Sequence, residues 1–103
     1  MIEPHKEYLY FLGEHHRKAS DHHTKVGVAE MKIYGAHRAH AEHYHNMQKA
    51  SGDHMYDVKC MKAEEEHHTT MARLYKNLAQ ASFDLSDLHQ DSAEELDKEL
   101  GYE

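Results

Sequence analysis

A single proline, Pro4, occurs in the 103 residues, and it sits where a first helical turn accepts one. Beyond it no residue lacks a backbone donor and no alternating strand pattern competes, while apolar and histidine residues recur every seven positions. One column reads Leu12, Ala19, Val26, Ile33, His40, Met47; its neighbour reads Tyr8, His15, His22, Ala29, Ala36, His43. The phase is kept from 12 to 47, which predicts one long helix over about 4–50. Gly13, Gly27 and Gly35 each cost roughly 1 kcal/mol relative to Ala. Ser20 and Asp21 are good cap residues, so a break near 20–24 is the alternative.

The clearest punctuation is "ASGDH", where Gly52 can take a left-handed conformation and Asp53 can cap a second helix. That helix is expected over about 54–82, with columns Met61, His68, Tyr75 and Glu64, Met71, Leu78, flanked by Cys60, His67, Leu74, Ala81. After "SFDLSD" a short acidic third helix over about 86–100 is expected to dock Leu85, Leu88, Leu96 and Leu100. The fold class expected is all-α: an antiparallel hairpin of long helices completing a four-helix-type bundle by homo-oligomerisation. Its divisions are a helical domain, 1–82, and an acidic C-terminal helix and tail, 83–103.

Composition supports the expectation of assembly. Leu, Ile, Val and Phe together number only 15. At roughly 25 cal/mol per Å² buried, against about 1.5 kcal/mol of ordering per residue, so thin a core calls for a partner copy, a bound metal, or both. Residues 1–81 hold 11 acidic and 11 basic side chains, whereas 82–103 hold 8 acidic ones and only Lys98. An acidic tail and the lack of a basic stripe argue against nucleic acid as a partner. No basic segment leads into an apolar run, and no window reaches the ~20 apolar residues that span a bilayer, so a soluble, cytoplasmic protein with no membrane partner is expected. Cys60 is the only cysteine, which excludes an internal disulfide.

The unusual residue is histidine, 13 in all, with four in "AHRAHAEHYH". An antiparallel pair turning at Gly52 sets His37, His40 and His43 level with Glu64, His67 and His68. Side chains three and four apart on a helix share a face, so two ligands from each helix, drawn from these six, can complete four-coordination around one ion. Neutral imidazole and carboxylate suit copper or zinc, with nickel or iron as further possibilities. Any one of these histidines taken singly reads as a solvated surface residue; the argument is in the group. Several imidazoles and a carboxylate in one core layer are costly without a cation or protons to compensate. Secondary candidates are Glu30, the thiol and thioether of Cys60 and Met61, and the cluster His15, His16, His22, His23, which needs ligands from a partner helix. His5, His45, His54 and His89 read as surface residues.

The Glu-x-x-His spacings Glu42 to His45, Glu64 to His67 and Glu65 to His68 resemble those of ferritin-like di-metal helical bundles, over residues 30–68. The resemblance implies a four-helix bundle, in some members assembled from dimerising half-bundles, and metal-oxidase chemistry. The pattern departs from the family in that the 42–45 pair lies off the core columns and Glu30 is the only other inward-leaning carboxylate. Many nitrogen ligands and no sign of a substrate fit storage, buffering or sequestration of metal ions better than catalysis. The reading from another class is a metal-free scaffold whose histidine seam loosens in acid and whose acidic tail docks a basic partner.

Overall fold

The computed structural model describes residues 4–52 and 54–101. Two helices account for nearly all of them: α1, Pro4–Ser51, and α2, Met55–Leu100, joined as a hairpin. Gly52 turns the chain with φ +60°, a conformation that favours glycine. The backbone N–H of His54 donates to Ser51 O at 3.3 Å, and that of Val58 to His54 O at 3.0 Å, which starts α2. The cap expected at Asp53 lies outside the described residues. Gly101, at φ +85°, closes α2 with its N–H on Lys98 O. No helix is long and apolar enough to cross a membrane, among the described residues.

The first helix does not break at 20–24, because the residues able to cap use their side chains within a continuous helix. Asp21 pairs with Lys25 one turn on, at 3.0 Å, and the Thr24 hydroxyl donates to Ser20 O at 3.0 Å. The separate third helix is likewise replaced by an uninterrupted α2. No glycine or proline stands between 53 and 100, and the serines of "SFDLSD" face the partner helix. Ser82 and Ser86 are buried there.

The chain divides into two compact units, one formed by the two ends as far as Gly27 and from Gln80, the other by Val28–Ala79 with the turn. On α1 the first expected column holds in part, with Leu12, Ala19, Val26 and Met47 half-buried, while the most buried positions lie beside it. The buried and half-buried positions of the first unit's α1 segment are led by Leu9, Gly13, His16, Ser20, His23 and Gly27; in the second unit the series continues with Glu30, Tyr34, His37, Ala41, Tyr44 and Gln48. Tyr8, His15, His22, Ala29, Ala36 and His43 are all exposed, and so are Ile33 and His40. On α2 the column Met61, His68, Tyr75 does line the seam, and its heptad continues as Ser82, His89, Leu96. Glu64, Leu78, Cys60, His67, Leu74 and Ala81 are exposed, with Met71 half-buried.

The physical reason is side-chain size. The most buried residues are small: Gly13, Ser20 and Gly27 on α1, and Ala72, Ala79, Ser82, Ser86 and Ala93 on α2, with Leu9 the one large exception. Small residues at a helix interface let the backbones approach closely, and interaxial distance follows the side chains at the contact. In the first unit a Cβ on Gly27 would lie 2.7 Å from the Phe83 ring, so glycine is needed for the approach seen there. Ser86 donates to Ser20 O at 2.9 Å, while the Ser20 and Thr24 hydroxyls lie 3.0 and 2.6 Å from its Oγ. Arg17 bridges both helices, donating to Glu14 and to both oxygens of Asp97 at 3.1 and 3.2 Å. These acceptors, Glu14 first, hold its guanidinium above the usual arginine range.

Candidate metal centre

In the second unit, the seam narrows to a layer of rings. His37 is a half-buried seam residue of α1 and His68 its counterpart on α2, and their Nδ1 atoms are 2.8 Å apart. At that distance one ring donates its proton and the other accepts, so the pair holds one proton between the two nitrogens. His40, three residues after His37 and exposed, brings its ring to 4.9 Å from that of His68, edge to face. One ligand nitrogen from each of His37, His40 and His68 falls within 4.8 Å of the others, the only such group among the described residues. Tyrosines cover the pair: Tyr44 stacks on His68 at 5.7 Å and 6°, and Tyr75 on His37 at 5.7 Å and 18°.

Burial lowers the His68 pKa from its ordinary value, and the neighbouring His40, His37 and His67 lower it further, opposed by Glu64. A neutral imidazole is the form that coordinates metal. With Zn–N bonds of about 2.0–2.1 Å, two nitrogens of a tetrahedral site sit about 3.3 Å apart, so for both Nδ1 atoms of the His37–His68 pair to coordinate, the donating ring must carry its proton on Nε2 instead and the pair must open by about 0.5 Å. The site has three imidazole donors and a rim open at His40.

Of the other expected ligands, Glu64 borders the triad without joining it. Its Oε2 lies 3.8 Å from His68 Nε2, the nitrogen opposite the one that meets His37. At that distance Glu64 acts on the ring through its charge rather than through a hydrogen bond. His67 is exposed, its ring 5.2 Å from that of His68. His43 is exposed beside Tyr44, Cys60 is exposed, and Met61 is half-buried in the seam. Glu30 is half-buried in the α1 seam. Of the Glu-x-x-His pairs, Glu42 is exposed, while Glu65 accepts from His45 Nδ1 at 3.1 Å and Gln48 Nε2 at 2.8 Å. His45, read as a free surface residue, is thus tied to Glu65.

In the first unit, His16 and His23 are half-buried and His15 and His22 exposed. The partner helix they require is α2 of the same chain, through His89: the Nδ1 atoms of His16 and His89 are 2.8 Å apart. Sequence reasoning missed His89, and heptad arithmetic was the signal, since it lies 21 residues beyond His68 just as His37 lies 21 beyond His16. The chain matches no protein family, no curated protein and no solved structure.

Proposed function

We propose that this protein binds a transition-metal ion through His37, His40 and His68 and serves to store, buffer or sequester it. The observation that carries the reading is the convergence of three imidazole nitrogens from two helices within 4.8 Å. Three neutral nitrogen donors suit zinc or copper, with nickel and iron also compatible. The exposed His40 gives the ion a route in and out, which fits buffering. Elemental analysis of tag-free protein purified without chelator tests this: a near-integer content of one of these metals is expected, and neither native metal nor uptake on titration with Zn(II) or Cu(I) would overturn it.

The paired Nδ1 contacts also favour a second reading, a metal-free seam that loosens when each pair must accept a second proton. A midpoint of thermal unfolding that falls in acid with no metal bound at any pH would support this reading over the first.

We further propose that a second copy covers α2. In the second unit Leu74 and Leu78, one turn apart on α2, are each 50 % exposed, and in the first unit Leu85 and Leu88 are 43 and 62 % exposed. Exposed leucines of that kind are what a four-helix bundle buries. Sedimentation is expected to show a dimer or larger assembly, dissociated by Leu78→Glu; a monomer at 100 μM would count against it.

A further inference from the structure

We propose that the first unit carries a second transition-metal site, with His16 and His89 as its primary ligands and His23 completing it. The proposal shares the chemistry assigned to the first triad, and its test is built so that either can fail alone.

The geometry of the two pairs is nearly the same. His16 and His89 have Nδ1 atoms 2.8 Å apart, ring centroids 5.1 Å apart and planes inclined at 35°. For His37 and His68 the values are 2.8 Å, 5.1 Å and 33°. Each pair occupies the same two heptad positions of α1 and α2, displaced by 21 residues in opposite directions along the two helices. If one pair is geometrically able to open around a cation, so is the other.

The third residue distinguishes them. His40 has Ala19 as its heptad counterpart, so the first unit lacks that donor. Tyr44, however, has His23 as its counterpart. His23 stacks on His89 at 5.5 Å and 7°, as Tyr44 stacks on His68 at 5.7 Å and 6°. The covering ring of this layer is thus itself an imidazole. His15 stands edge-on to His89 at 6.4 Å as a fourth imidazole. The cation next to His16 in the chain, Arg17, is engaged by Glu14 and Asp97. In its stacked position, His23 does not bring three donor nitrogens together as in the other triad, so a side-chain rotation accompanies binding and the site fills after the first.

The test is a titration of the full chain with Zn(II) under chelator competition, read as ions per chain after gel filtration and as histidine ¹⁵N shifts. Wild type is expected to take two ions per chain, with the second shifting His16, His23 and His89. His89→Gln is expected to take one, leaving the His37 and His68 shifts intact, and His16→Gln to behave alike. His68→Gln is expected to keep the ion at His89. A capacity of one ion, lost in His68→Gln but unchanged in His89→Gln and His16→Gln, would overturn the second site and leave the first standing. Retention of the ion at His89 with none at His68 would do the reverse, and no binding would overturn both. Unchanged histidine shifts in the first unit of wild type would overturn the proposal even if the variants failed to fold.

Discussion

The His16–His89 and His37–His68 pairs meet at the same nitrogen separation in the same heptad positions, yet one is joined by His40 and covered by tyrosines while the other has His23 where a tyrosine would be. The seam fixes how two histidines on facing helices meet. What joins or covers them is decided by one residue three or seven positions away. A repeated backbone arrangement thus offers two environments differing in donor count, and with it two expected affinities.

The largest test of that comparison is His68→Gln, which removes a ligand and leaves a polar side chain of similar reach. Loss of an orienting partner alone costs about 10–100-fold in metal affinity, so loss of a ligand is expected to cost at least about 100-fold. Competition titration of Zn(II) checks this, and a change under tenfold would mean that His68 is not a ligand. Glu64→Ala is expected to cost less than about tenfold, because Glu64 Oε2 lies 3.8 Å from the His68 nitrogen that faces away from His37, beyond hydrogen-bond distance.

Acidification is expected to empty the site, since protons compete for the same nitrogens. The metal-free protein responds in the same direction. The folded chain holds His68 below its ordinary value of 6.5, so the unfolded chain binds the proton more readily. The stability that neutral His68 contributes is complete above about pH 6.5 and is lost as pH falls from there through its lower folded pKa. The neighbouring His40, His37 and His67 add to the lowering of His68, and Glu64 opposes it. Melting temperatures of apo protein from pH 8 to 5 should fall, and less so in His68→Gln; parallel curves for the two would remove His68 as the cause.

A smaller effect comes from importing into the first unit what it lacks. Ala19→His places an imidazole at the counterpart of His40, and Zn(II) binding there is expected to tighten by about tenfold, the lower bound for an added metal partner. No tightening would show that donor number is not what separates the two layers.

Much of the backbone was legible in the sequence. The lone Pro4 and the unbroken phase gave a first helix within a residue of its observed end at Ser51, and Gly52 located the turn. The pattern also put His37, His40 and His68 in one group, and Met61, His68 and Tyr75 in one column. The most buried part of the seam was not legible, because Gly13, Ser20, Gly27, Ala79 and Ser86 carry little hydrophobic signal. Periodicity instead picked out the stronger stripe of leucines and histidines, most of which is exposed. The same blindness divided α2, since serines that hydrogen-bond across a close helix pair look, in isolation, like caps.

The smallest expected effect separates the units by backbone contact. Replacing glycine by alanine within a helix gains about 0.5–1 kcal/mol when space is open. At Gly35, in the second unit, a Cβ meets nothing within 4 Å, so Gly35→Ala is expected to stabilise by about that amount. At Gly27, in the first, the same Cβ comes within 2.7 to 3.0 Å of three atoms of the Phe83 ring. Overpacking of this kind costs about 1–3 kcal/mol, which exceeds the propensity gain and leaves Gly27→Ala about 1 kcal/mol less stable. Urea unfolding of both variants reads the opposite signs directly. Phe83→Ala provides the control: with the ring gone, alanine at 27 should be tolerated as at 35, and a persistent loss would place the constraint on the helix backbones rather than on Phe83.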